Sequence, residues 1–202
     1  MESDGAGIFN IRSNFDENAL TCDSLRKCCE IGNIKEEIPG LNMPDSCGYR
    51  NTNGLGYFSF GKQKESQYGE FPWTIAVLKR ISSSTNMLSI YMGGGSLIHP
   101  QIVLTTAHNL NDTNPNNLFA RGGEWNTQTT DEMLPHQERD VQGVTKHRDF
   151  TRKNLHNDIA LIFLVKPFDL KPHINTICLP KTNYQLSNQK CVASGWGKDQ
   201  VR

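Results

Sequence analysis

From Phe71 onward the sequence predicts an all-β domain, a barrel or a sandwich, and three observations carry that prediction. Apolar and β-branched residues come in short runs: Trp73–Leu78, Met87–Met92, Ser96–Ile98, Ile102–Thr106, Leu118–Arg121, Val141–Thr145 and Asp158–Val165. Clusters of Gly, Pro, Asn and Asp separate the runs. No long segment repeats its apolar residues every ~3.6 positions, as a helix with one buried face must.

The segments before and after these runs read differently. Residues 1–33 hold Cys22, Cys28 and Cys29 in a polar stretch with few large apolar side chains. So little apolar surface cannot drive folding unaided, and the stretch reads as a disulfide module or part of one. Residues 34–68 carry turn and linker chemistry, including Ile38-Pro39-Gly40 and Asn51-Thr52-Asn53-Gly54, and the domain boundary is placed there. The β domain then occupies residues 69–202. Within it Pro167, Pro172 and Pro180 break the chain into an extended crossing segment, and Lys190–Gly195 reads as one more strand with nothing downstream to pair with.

Composition narrows the function classes. The 202 residues include 21 basic and 21 acidic side chains, and no Lys/Arg cluster interleaved with aromatics stands out, so neither nucleic acid nor an anionic membrane is the expected partner. A protein partner or substrate is expected instead. No apolar run approaches the roughly 20 residues that span a bilayer. The start, Met1-Glu2-Ser3-Asp4-Gly5, lacks the basic and apolar regions of a secretory signal, so either the protein is cytosolic or its true start lies upstream. Six cysteines would suggest three disulfides in a secreted protein. Zinc is disfavoured, because Cys28 and Cys29 are adjacent and the histidines are scattered.

One pair of residues carries chemistry. Leu104-Thr105-Thr106-Ala107-His108 is a strand that ends in small residues and an imidazole, and Asn157-Asp158-Ile159-Ala160-Leu161 is an acid leading into an apolar strand. A carboxylate at the mouth of a buried strand is costly to desolvate unless a donor such as a His Nδ1–H holds it. In such a pair the carboxylate fixes the imidazole tautomer, and the other ring nitrogen is left to take a proton from a hydroxyl. Taken singly, each residue also fits a plainer reading, a strand-end His and a turn-capping Asp.

Gly69-Glu70-Phe71-Pro72-Trp73, Gly94-Gly95-Ser96-Leu97-Ile98, Thr105-Thr106-Ala107-His108, Asp158-Ile159-Ala160-Leu161, Ile177-Cys178-Leu179-Pro180 and Gly195-Trp196-Gly197 stand in the order seen in trypsin-like serine proteases. The sequence therefore resembles that family. The resemblance implies a chymotrypsin-like fold: an N-terminal β-barrel, then only the start of a second barrel, preceded by a partial disulfide-rich clip domain. It also implies that His108 and Asp158 are the His and Asp of the catalytic triad. Arg121–Thr129 with Pro135–Arg139, and Asp4–Gly7 with Cys22, Cys28 and Cys29, further resemble arthropod clip-domain serine protease homologues of the phenoloxidase-activating-factor-2 type. In that subfamily the protease domain is usually without catalysis and acts as a cofactor in melanization cascades. The resemblance thus implies an extracellular protein of the haemolymph, with partners such as prophenoloxidase or an activating protease.

The sequence departs from the protease pattern at several places. The family's nucleophile motif, oxyanion-hole amides and substrate pocket lie further on than Arg202, and Ser194 has no Gly-flanked elbow to expose it. The residues around Phe60, preceded by Ser59 and followed by Gly61-Lys62-Gln63, contain no basic activation site. Without a freed amine the ion pair that orders the oxyanion hole cannot form. Gly93 and Asn109 replace the two cysteines that staple the His loop in the family, removing a constraint worth about 2–4 kcal/mol.

The same resemblance implies that Cys47 pairs with Cys178, that Cys191 pairs beyond Arg202, and that Cys22, Cys28 and Cys29 pair before Met1. A bridge from Cys22 or Cys28 to Cys191 is the alternative. Asn111-Asp112-Thr113 is a glycosylation sequon. Glu124, Asp131, Glu132 and Glu138 surround a loop that in some relatives holds Ca²⁺, with Glu124 and Glu138 the candidate ligands; a solvated acidic loop is the preferred reading, and no cofactor is otherwise implied. His99, His136, His147, His156 and His173 read as surface or packing residues. The resulting functional expectation is a non-catalytic cofactor. The alternatives are a trypsin-like endopeptidase whose nucleophile lies outside these residues, and a truncated product without function whose exposed edge invites aggregation.

Overall fold

The computed structural model describes residues 46–56, 66–82, 87–110, 113–127, 132–181 and 191–197. Cys22, Cys28, Cys29, Asn111, Asp131 and the Ser59–Gln63 region lie outside them. Six strands form a closed barrel: β1 (Thr74–Ser82), β2 (Met87–His99), β3 (Ile102–Thr105), β4 (Leu118–Gly122), β5 (Gln137–Lys146) and β6 (Ala160–Leu164). Around the barrel the order is β1-β2-β3-β6-β5-β4, and every neighbouring pair is antiparallel. Closure leaves no free edge along the paired stretches and decides between the barrel and the sandwich in favour of the barrel.

Alternation of side chains puts the core inside. In β6, Ala160, Ile162 and Leu164 are buried while Leu161 and Phe163 are half-buried, and β3 repeats the pattern with Val103 and Thr105 inside. The apolar members of this set join Ile75, Val77, Leu97, Leu118, Ala120 and Val141 in one cluster, capped by Ala107, Leu110, Phe168 and Ile174. Each fully buried Val, Leu or Ile contributes about 1.5–3 kcal/mol. Gly95 explains part of the Gly-rich run in β2: a Cβ there would lie 2.6 Å from Val103 Cγ1 and 3.1 Å from the Leu104 carbonyl oxygen, so the strands could not approach as they do.

The outer face of β1 is covered as well. Ala76, Leu78 and Phe119 form a second cluster against which Trp196 packs. The Trp196 indole donates to the Trp125 carbonyl at 3.2 Å and meets Tyr91 edge to face. Burial on both faces is why the β1 segment Ile75–Leu78 is continuously apolar rather than alternating. Residues 191–195, within the run read from sequence as a further strand, belong to none.

A strap of residues 46–56 ties the barrel to the crossing segment. Cys47 is disulfide-bonded to Cys178, and Gly48 N–H donates to the Thr176 carbonyl at 2.8 Å. The Asn51 amide donates to Gly69 O at 2.8 Å and Pro172 O at 2.9 Å, while the Arg50 guanidinium grips Glu70 and stacks over Phe71. Leu55 and Tyr68 are buried against Leu134. No helix among the described residues is long and apolar enough to cross a membrane.

Candidate functional site

The register of β3 and β6 assembles the site. Thr105 pairs with Ala160, the last pair of that ladder, so both strands end at one side of the barrel. The Thr105 hydroxyl donates to the Gly94 carbonyl at 2.8 Å and fixes the strand end. Beyond it Ala107 is fully buried, and a single 3₁₀ turn, His108–Leu110, seats Leu110 in the core and turns the imidazole outward. On the other strand Asn157 takes a left-handed conformation (φ 55°), and the Ile159 N–H donates back to its carbonyl at 2.8 Å. That turn sets Asp158 opposite His108.

The Asp158 carboxylate accepts twice from one residue. Oδ1 receives the His108 backbone N–H at 2.8 Å, and Oδ2 lies 2.6 Å from His108 Nδ1. Burial alone would raise the Asp158 pKa, but the side-chain and backbone hydrogen bonds from His108 outweigh it and hold the carboxyl below its usual range. An ionised acceptor requires the proton on Nδ1, which leaves Nε2 as the basic nitrogen on a side chain 43 % exposed. The arrangement can orient an imidazole to take a proton from a hydroxyl placed beside Nε2. The Ser194 hydroxyl instead shares a hydrogen bond with Thr74 Oγ1 at 3.0 Å, at the start of β1.

Gly93 and Asn109, where the family's staple would be, face each other directly. A Cβ on Gly93 would stand 2.1 Å from Asn109 Nδ2 and 2.9 Å from Asn109 Cγ. The carboxamide thus fills the volume a disulfide would take. Sequence reading noted the two substitutions; it did not foresee that one side chain fills the space left by both.

The acidic loop does not assemble a Ca²⁺ cage from its described side chains. Arg121 donates to Glu124 Oε2 at 2.9 Å and to Glu138 Oε1 at 2.6 and 3.0 Å, so an internal guanidinium already occupies both candidate ligands. His136 Nδ1 is 3.6 Å from the same Glu124 oxygen. Glu124 Oε1 is buried without a hydrogen-bond partner, and no three His, Cys, Asp or Glu among the described residues converge as a metal site. Ca²⁺ takes 6–8 oxygen ligands. Burial, with repulsion from Glu132, pushes the Glu124 carboxyl up to about 7 against the opposing pull of Arg121.

His173 lies at the back of this loop and is nearly inaccessible. It stacks on Tyr68, and its Nε2 is 3.1 Å from the Pro135 carbonyl, which requires a proton on Nε2. Nδ1 is buried without a partner. Burial first, and Lys171 nearby, depress its pKa below 6.5, although the Pro135 contact and Glu132 oppose this. The unfolded chain therefore binds a proton that the folded chain refuses, and stability present above pH 6.5 is lost as pH falls toward the folded-state value. Urea midpoints measured from pH 7.5 down to pH 5.5 are expected to fall more steeply for the parent protein than for His173→Gln, which donates but cannot be protonated. Equal slopes would assign the acid sensitivity elsewhere.

A barrel that delivers a hydrogen-bonded His–Asp pair from the ends of two paired strands defines the chymotrypsin-like class of proteins. The family model described as Trypsin matches residues 60–202, and the chain belongs to the trypsin family. It is 46 % identical over 160 residues to phenoloxidase-activating factor 2 of Galleria mellonella, covering 76 % of this chain and 52 % of that protein. Two Anopheles gambiae proteins named inactive CLIP domain-containing serine proteases, A8 and A28, are 36 % and 37 % identical. Those matches cover 93 % and 90 % of this chain and 52 % and 47 % of the relatives. The resemblance to clip-domain serine protease homologues is borne out by these relatives, and the chain spans about half of their length.

Proposed function

We propose that the protein is a non-catalytic serine protease homologue that acts as a cofactor in an extracellular cascade leading to phenoloxidase activation and melanization. The observation that carries the reading is the 46 % identity to a phenoloxidase-activating factor, reinforced by likeness to two proteins named inactive. The chain's own residues agree: the sequence around Phe60 offers no basic activation site, and Asn109 with Gly93 stands where the His loop would be stapled. Its partners in this reading are prophenoloxidase or the protease that converts it, its compartment is the haemolymph, and the Cys47–Cys178 bridge suits an oxidising one. His108 and Asp158 are then inherited positions, not a working pair.

The second reading, an active endopeptidase, is favoured by one observation, the 2.6 Å His108–Asp158 contact. A reconstitution separates the two. Full-length protein is mixed with prophenoloxidase, with and without the converting protease. The cofactor reading predicts that it raises phenoloxidase activity only when that protease is present. Cleavage of prophenoloxidase by this protein alone would establish the endopeptidase.

A further inference from the structure

The loop between β5 and β6 concentrates positive charge beside the His–Asp pair. From Lys146, the last residue of β5, to His156 it carries Lys146, Arg148, Arg152 and Lys153 against the single acid Asp149, a formal excess of three in a chain with no net charge overall. Residues 147–149 and 151–157 are all exposed. Phe150 packs on the barrel core and anchors the loop. Backbone hydrogen bonds from Phe150 to His147 (3.0 Å) and Thr151 to His156 (3.1 Å), and the Asn157 side chain donating to the Asp149 carbonyl (3.1 Å), set its shape in advance. A loop already ordered does not lose that entropy again on binding.

The same loop displays an apolar residue under strain. Leu155 is 50 % exposed and holds φ at 55°, a left-handed conformation in which a bulky side chain crowds its own backbone. Ile159, one residue past Asp158, is 43 % exposed. Arg148 meets Asp149 at 3.3 Å, but both side chains are largely in solvent, and such a surface pair is readily exchanged for another acid.

We infer that the 146–156 loop is a docking surface for an extended acidic segment of a partner protein, with an apolar side chain of that segment seated on Leu155. Charge complementarity selects an acidic partner, and the exposed leucine selects a polypeptide over a sulfated glycan. Such a surface extends the partner-binding reading above. The test reads binding alone: its failure leaves the absence of catalysis in place, and proteolytic activity would leave the docking surface in place.

The probe is a fluorescein-labelled peptide with acidic residues on both sides of one central leucine, titrated into the full-length protein and read by anisotropy. Arg148→Glu with Lys153→Glu is expected to weaken binding by roughly tenfold or more, as is raising the ionic strength from about 0.05 to 0.5 M on the unaltered protein. Leu155→Ser, or serine in place of the peptide's leucine, is expected to weaken it by roughly threefold to tenfold. Lys166→Glu, just beyond the opposite end of β6, is expected to leave it unchanged. The salt series needs no variant to fold. Absence of binding, equal weakening by Lys166→Glu, or indifference to the loop charges overturns the proposal. So does a sulfated oligosaccharide that binds more tightly than the peptide and ignores Leu155→Ser.

Discussion

Replacing Cys47 and Cys178 together by serine is expected to lower the unfolding free energy by about 5 kcal/mol, which is the range in which small domains lose their fold at physiological temperature. The bridge spans 131 positions of sequence, so it closes most of the barrel into one covalent loop. In the chain-entropy description a loop of about 100 residues already gives ~4.7 kcal/mol. In the native state the bridge works alongside the strap's other contacts, the hydrogen bonds of Gly48 and Asn51, the Arg50–Glu70 ion pair and the buried Leu55, so the loss falls chiefly on the loop entropy. Urea unfolding of the parent and the double-serine protein, each with and without reductant, checks this. Reductant should shift the parent toward the variant and leave the variant where it is. A variant as stable as the oxidised parent would show that the strap holds without its bridge.

Restoring a staple at the His loop is expected to have the second largest effect, in the stabilising direction. In Gly93→Cys with Asn109→Cys, the new Cβ at position 93 lies 2.9 Å from the present Asn109 Cγ. An S–S bond of about 2.05 Å places the Cβ of one cysteine roughly 3 Å from the sulfur of the other, so Asn109 Cγ marks where the second sulfur of the bridge would sit. A loop of about 15 residues closed in this way gains ~3 kcal/mol. The oxidised variant should show no free thiol from the new pair by mass spectrometry and unfold at higher urea, with the gain abolished by reductant. Gly93→Cys alone should destabilise, because its Cβ would stand 2.1 Å from the Asn109 amide nitrogen. If the pair stays reduced under oxidising conditions, the two positions do not face each other as described.

How much of this was legible in the sequence depends on where each strand finds its partners. β3 and β6 are short and alternate cleanly between the barrel core and its outer face, so Ile102–Thr106 and the core of Asp158–Val165 located them within a residue or two. The His108–Asp158 spacing could be read because both follow from those strand ends. β5 runs from Gln137 to Lys146, yet only Val141–Thr145 reads as a strand. Its first half is polar because those side chains bond sideways: Arg139 donates to Pro167 O at 2.7 Å and to Asp169 at 2.9 Å. Met87–His99 is one strand through Gly93–Gly95, where the glycine run suggested a break, because Val77 and Ala76 pair with Gly93 and Gly94 on the neighbouring strand. The reverse holds at residues 191–195, where a suitable run forms no ladder. Pattern alone cannot supply the neighbouring strand that a strand requires.

The acidic loop shows the other limit. The resemblance picked out Glu124 and Glu138 as candidate ligands while the charge pattern read as a solvated acidic loop, but which cation faces them is a matter of reach, and Arg121 on β4 lies within hydrogen-bond distance of both. His173 gave no signal in sequence, since its burial follows from Tyr68 and Pro135, both more than thirty residues away.

The most direct test of the central claim is active-site labelling of the full-length protein with a fluorophosphonate, after exposure to cascade proteases, followed by intact-mass measurement. The reagent reacts only where an imidazole such as His108 activates a serine and an oxyanion hole receives the developing charge. The cofactor reading predicts an unchanged mass under conditions that label trypsin stoichiometrically. A one-to-one phosphonyl adduct lost on His108→Ala would contradict it and make the His108–Asp158 pair part of a working protease.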